Sequence, residues 1–234
     1  DALVGKIRRE HMKEGDLLLV LSDHGFASFR TAVNLNRWLA EEGLLVGVGS
    51  PSERSIENDL DGGDLFPGVD WAATQAYAVG LGKIWINVAG REPKGSVSPE
   101  RRVKVMEDLR KRLLALRYEG APVVRSVKFR EEIYDGDLTS RSADVIIGFE
   151  DGFRVSWQST LGSLSEPVFA PNRNLWSGDH CSVDPDIVPG VLFSSRPVAA
   201  DYAHVLDVFP TVEAALGLPR SPRLDGTPLP WKTP

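Results

Sequence analysis

Apolar residues along this chain fall into short runs and stripes, separated by turns rich in Gly, Pro and Asp. Their spacing predicts strands alternating with helices. Residues 17 to 21, Leu-Leu-Leu-Val-Leu, form an unbroken run of strand length. A strand apolar on both faces is expected in a parallel sheet covered by helices. Residues 2 to 12 before it read as a helix with Leu3, Ile7 and Met12 facing inward. Beyond it, Asn34 stands as the N-cap of a short helix holding Leu35, Trp38 and Leu39, and Gly43 sits where a glycine ends one. Alternation over residues 74–79 and 84–88 predicts two strands. Ser98-Pro99 opens the clearest helix, where Val103, Met106, Leu109, Leu113 and Leu116 recur at steps of three and four. Further strands are expected at 123–129, 144–149, 153–157 and 191–194. A last helix over 202–216 is stopped by Gly217 and Pro219.

The intervening stretches read as loops. Residues 47–70 are rich in glycine and acidic or hydroxyl side chains, a long functional flap or a partly disordered segment. Residues 161–186 are loop-like, and the proline-rich tail from 220 to 234 is expected to wrap the surface without regular structure. Strands alternating with helices imply an α/β sandwich on a mostly parallel central sheet. Residues 71–157 are expected to form a small inserted α+β lobe. In such sheets ligands bind beyond the carboxyl ends of the strands.

Composition narrows the partners. Of 234 residues, 42% are hydrophobic and 26% charged, the balance of a soluble globular chain, and the net charge is −6. An acidic balance argues against wide contact with a nucleic-acid polymer, while a small phosphorylated ligand remains compatible through bound metal. The single cysteine, Cys181, is read as excluding an intrachain disulfide and a thiolate zinc site. The longest aliphatic run has five residues, far short of the ~20 a membrane helix needs. A soluble protein is expected, cytoplasmic or secreted.

The chemistry concentrates where the first apolar run ends. Ser22-Asp23-His24-Gly25 follows it directly and places a carboxylate and an imidazole side by side at a sheet edge, as a divalent metal requires. The same four residues also suit a plain strand-to-loop turn. A second His lies in Gly178-Asp179-His180, where Asp179 is either a partner that orients the imidazole or a turn residue. His11 belongs to a charged, solvated helix face. His204 is expected at the surface or a helix terminus, and Asp207 and Thr211 in capping and packing. Residues 101–112 are basic but read as the polar face of an amphipathic helix. Asn87 and Arg91 receive no role. Cys181 next to His180 does not make a nucleophile, which needs a base in hydrogen-bond geometry.

Taken together, these stretches resemble the alkaline phosphatase superfamily, and within it the type I phosphodiesterase/nucleotide pyrophosphatase family. The resemblance is carried by residues 17–26 with Ser22-Asp23-His24-Gly25-Phe26, by 84–95 with Asn87 and Gly90-Arg91-Glu92-Pro93, and by Glu132-Ile133-Tyr134-Asp135-Gly136. Gly178-Asp179-His180, residues 188–193 and residues 205–211 extend it along the chain. It implies that residues 1–234 form the C-terminal portion of an alkaline-phosphatase-like catalytic domain whose N-terminal part is missing. It further implies two divalent metal ions, zinc by family habit, with Asp23 and His24 on one and His180 on the other. The attacking Thr or Ser of that family lies upstream of the Asp-His-Gly motif, so no catalytic nucleophile matches within this chain. Metal-dependent hydrolysis of a small phosphodiester or nucleotide pyrophosphate, through a Thr/Ser phosphoryl-enzyme, is the expected activity, completed by the missing N-terminal half. The isolated chain is expected to be inactive. A phosphomonoesterase, sulfatase or phosphonate hydrolase on the same metal motifs is the alternative enzyme, and a non-catalytic fragment or interaction module the alternative of another class.

Overall fold

The computed structural model describes residues 1–48, 66, 68–165, 167–173 and 175–232. Most of the loop expected at 47–70 therefore lies outside the described residues. The chain divides into two compact units, residues 26–188 and residues 1–25 with 189–234.

The larger unit is built on an antiparallel four-stranded sheet. Its strands are β4 (Ala76–Ala78), β5 (Lys83–Ile86), β8 (Val124–Phe129) and β9 (Val145–Phe149), in the order β4-β5-β9-β8. Helix α3 (Pro99–Ala115) packs on this sheet through Val105, Met106, Leu109 and Leu113, which meet Ile84, Ile86, Val127, Ile147 and Phe149 in one core. Met106, Leu109 and Leu113 of the expected stripe are buried, but Val103 is exposed and Val105 is buried instead. Helix α2 (Leu35–Glu41) lies against the edge strand β4. There the Asn36 amide donates to the Ala78 carbonyl (2.9 Å) and accepts from the Ala78 N–H (2.7 Å). A fully buried amide thus satisfies both polar groups of an edge residue, which would otherwise be costly.

Two further ladders complete this unit. β3 (Thr31–Val33) lies between β10 (Phe153–Val155), which runs parallel to it, and β11 (Phe169–Pro171), which runs antiparallel. β2 (Ala27–Ser28) pairs antiparallel with β12 (Gly178–Asp179), so the stretch expected as loop at 161–186 contains two short strands. A small hairpin joins β6 (Arg117–Tyr118) to β7 (Ala121–Pro122), and a one-turn helix α4 (Trp157–Thr160) follows β10. The Ser156 side chain caps α4 by accepting from the Ser159 N–H (3.0 Å).

The mixed α/β class holds, but the strand ladders are not those of a mostly parallel sheet. Among the described residues β3–β10 is the one parallel strand ladder. The physical reason is visible in β4 and β5, which alternate buried and partly accessible positions. One-sided burial is the mark of antiparallel sheets, whereas strands of parallel sheets are covered on both faces.

In the smaller unit, β1 (Leu19–Leu21) pairs antiparallel with β13 (Leu192–Ser194). Of the run at 17–21 only Leu19–Leu21 form the strand, and none of these three residues is buried. With β13 its one ladder partner among the described residues, its apolar faces stay partly open. Helix α1 (Ala2–Glu10) likewise buries none of its residues, and Leu3 is exposed rather than inward-facing. Helix α5 (Val208–Ala215) starts later than expected, after a single 3-10 turn over Val205–Asp207. The His204 ring accepts from the Leu206 N–H (3.3 Å) and Asp207 accepts from the His204 N–H (2.9 Å), which caps that turn. The tail lies alongside residues 197–199 through a Val198–Trp231 bridge and buries Leu229. No helix among the described residues is long and apolar enough to cross a membrane.

Candidate metal-binding residues

Asp23 and His24 emerge from the end of β1, where Ser22 ties the chain back to the segment before β13. The Ser22 N–H donates to the Val191 carbonyl (3.0 Å), and the Ser22 hydroxyl accepts from the Val191 N–H (3.0 Å). With the preceding residue fixed, the next two side chains converge. Asp23 Oδ2 and His24 Nε2 lie 3.4 Å apart, while His24 Nδ1 is 2.9 Å from the Gly25 carbonyl oxygen. An Nδ1–H donated to that carbonyl leaves Nε2 as the acceptor nitrogen, the form a metal takes. The Asp23 carboxylate is 79% exposed and the imidazole 33%.

The donor set can be tested against zinc by simple geometry. With Zn–O and Zn–N near 2.1 Å, two donors on a tetrahedral ion stand about 3.4 Å apart. Asp23 and His24 already hold that separation. The pair expected from the sequence is therefore brought together.

His180 belongs to the larger unit and sits just past β12, half-buried, with its ring edge-on to Phe26 at 5.3 Å. Its neighbours Asp179 and Cys181 complete a group whose ligand atoms lie within 4.8 Å of one another. The Cys181 Sγ stands 3.9 Å from His180 Nε2. Asp179 is buried and already engaged: one oxygen accepts from the N–H groups of His180 (2.7 Å) and Cys181 (2.8 Å), and the other is ion-paired with Arg154. Burial pushes the Asp179 carboxyl up, but the Cys181 and His180 contacts and the Arg154 charge prevail and hold it below the ordinary range. Burial, and then Asp179 itself, push the Cys181 thiol up.

Arg154 was not visible as a site residue in the sequence, although a charged residue between Phe153 and Val155 in a buried strand is the signal that could have marked it. It is almost fully buried, with its guanidinium between the rings of Phe29 (4.9 Å) and Trp157 (4.5 Å). The remaining candidates have structural surroundings. Asn87 is buried and donates to the carbonyls of Trp71 (2.7 Å) and Thr74 (2.8 Å). Arg91 forks onto the buried Asp144, with nitrogen–oxygen distances of 3.0 and 2.7 Å. The basic face of α3 is less solvated than its pattern suggests: Arg102 bonds Asp144 (2.7 Å) and Arg110 bonds Glu132 (2.7 Å). His11 is exposed at the end of α1.

A family model described as type I phosphodiesterase / nucleotide pyrophosphatase matches residues 1–171. The Asp23–His24 pair falls inside that span, and His180 falls beyond it. No curated protein matches the chain.

Proposed function

Because the chain belongs to the type I phosphodiesterase/nucleotide pyrophosphatase family, we propose that it is part of a metal-dependent hydrolase of phosphodiester or nucleotide pyrophosphate bonds in a small phosphorylated substrate. The observation that carries this reading is the 3.4 Å between Asp23 Oδ2 and His24 Nε2, the spacing of two donors on one zinc ion. Asp23 and His24 hold one divalent ion, and His180 contributes to a second. When bound, the ions stabilise the charge that develops on the attacking and leaving oxygens. An oxygen–nitrogen donor pair suits zinc or a similar borderline ion better than a purely hard one.

The attacking Thr or Ser hydroxyl is assigned to a segment outside these residues, together with the remaining metal ligands. Alone, each half-site has fewer donors than the four a tetrahedral ion takes, so metal binds weakly and turnover is absent. The antiparallel sheet and α3, which fall within residues 76–149, support reading 71–157 as an inserted α+β lobe.

The test is hydrolysis of bis(p-nitrophenyl) phosphate with added Zn²⁺, by the chain alone and after mixing with a folded polypeptide that carries the nucleophile and the remaining ligands. The chain alone is expected to match its own His24→Ala variant, and the mixture to turn over. An ordinary enzymatic rate from the chain alone overturns the placement of the nucleophile. A well-folded mixture without activity overturns the hydrolase reading.

A further inference from the structure

Three donors crowd the turn after β12, but they are not equivalent. Every oxygen of Asp179 is already committed. Oδ1 accepts two N–H bonds, from His180 (2.7 Å) and Cys181 (2.8 Å), and Oδ2 faces the buried Arg154 guanidinium. Turning this carboxylate toward a cation would leave two backbone donors and a buried arginine without their acceptor, a loss of several charge-assisted bonds at once. Arg154 cannot follow it, since it is wedged between Phe29 and Trp157.

His180 and Cys181 stand differently. Their backbone N–H groups are pinned by one oxygen of Asp179, so both residues leave the strand from a fixed origin. The chain then turns at Ser182, which adopts a φ of 62°. Its hydroxyl accepts from the Val155 N–H (3.0 Å) and its carbonyl from the Phe149 N–H (2.9 Å), clamping the far side of the turn to β10 and β9. Between these clamps His180 Nε2 and Cys181 Sγ face each other at 3.9 Å. With Zn–N near 2.1 Å and Zn–S near 2.3 Å, a nitrogen and a sulfur on one tetrahedral ion stand about 3.6 Å apart, a few tenths of an ångström closer.

We propose that His180 and Cys181 form a nitrogen–sulfur donor pair for a single transition-metal ion, and that Asp179, held by Arg154, is the positioning residue that presents them rather than a ligand. The inference rests on the phosphodiesterase reading only in taking His180 as a metal ligand, and it adds to that reading a soft sulfur donor. On binding, the metal–sulfur bond replaces the S–H bond and the thiol proton leaves to solvent. A sulfur donor excludes Mg²⁺ and Ca²⁺ as occupants and selects zinc, cobalt or a similar ion.

The test is Co²⁺ titration of the full chain, followed by visible and near-ultraviolet absorption, with Mg²⁺ as competitor. The wild type should show a thiolate-to-cobalt charge-transfer band that Mg²⁺ does not displace. Cys181→Ser should abolish the band and weaken cobalt binding at least about tenfold, and His180→Ala should weaken it similarly. Asp179→Asn keeps an oxygen for the two N–H groups, and should retain the band with affinity within about threefold of the wild type, whereas Asp179→Ala should weaken binding about tenfold or more with the band intact at saturation. Should the Asn variant fail to fold, the Arg154→Gln/Asp179→Asn double variant removes both charges, keeps a hydrogen-bonded pair, and should behave as Asp179→Asn. Cobalt bound through His180 with no charge-transfer band overturns the sulfur assignment and leaves the phosphodiesterase reading standing. A changed cobalt spectrum and a tenfold loss in Asp179→Asn make Asp179 a ligand and overturn its positioning role. Absence of any cobalt binding by the folded wild type overturns the proposal outright.

Discussion

Replacing Asp144 by Asn probes the densest charge cluster of the larger unit. Asp144 is fully buried and accepts from the Ile86 N–H (2.7 Å) while meeting Arg91 (3.0 and 2.7 Å), Arg102 (2.7 Å) and Arg130 (3.3 Å). Asn keeps the shape, but it removes the charge and turns an –NH₂ donor toward groups that are themselves donors. Removing one partner of a buried ion pair costs about 3–5 kcal/mol. The arginine side chains retain 29%, 16% and 10% exposure, and Glu92 and Glu131 still neighbour them, so the low end, about 3 kcal/mol, applies. In a unit of this size that is a fall in Tm of about 6–12 °C.

The pH dependence gives a second, independent reading of the same variant. Burial pushes the Asp144 carboxyl up, but the hydrogen bonds from Arg91 and Ile86 and the arginine charges prevail, and it stays below the ordinary carboxylate range. A group depressed in the folded state contributes stability above its unfolded pKa of about 3.9 and loses it as pH falls through the folded value. The gap between wild type and Asp144→Asn, measured by urea unfolding followed by circular dichroism, should therefore be constant from pH 7 to about 5 and narrow below about 4. A loss under about 1 kcal/mol at pH 7, or a gap that widens in acid, refutes the reasoning.

Other consequences are as direct. Leu109→Ala should cost about 2–5 kcal/mol and Val103→Ala stay within about 0.5, because Leu109 is fully buried and Val103 is 56% exposed; equal losses would put a different face of α3 on the sheet. Amides of β1 and β13 should exchange with deuterium by local opening well before those of β8 and β9, since no strand residue of the first pair belongs to the buried core; equal protection would contradict this.

How far the sequence spoke for the molecule depends on what each signal measures. Periodicity located the long helix because Ser98-Pro99 and a run of apolar steps constrain it from both the end and the face, yet Val103 and Val105 differ by a rotation the pattern cannot resolve. The run at 17–21 announced a strand but not its burial, because apolarity reports a side chain's preference and not whether a neighbour covers it. That same apolarity points to parallel pairing, and the alternation in β4 and β5 is the better guide. At the candidate site, Asp23 and His24 are legible because adjacent candidate donors at a strand end need no tertiary knowledge. The Arg154–Asp179 pair was not, since its partners are 25 residues apart and meet only through β3 and β12 with their neighbours. In the sequence Cys181 reads only as a poor nucleophile, and it is the 3.9 Å to His180 Nε2 that makes a candidate donor pair visible.

The central claim is that Asp23 and His24 act together as one metal's donors. Isothermal titration with Zn²⁺ tests it most directly, using wild type, Asp23→Ala, His24→Ala and the double variant. The account predicts that either single change removes the same binding event, and that the double variant loses nothing further, while folding is untouched because both side chains lie at an accessible turn. Zinc binding identical in all four proteins would contradict it.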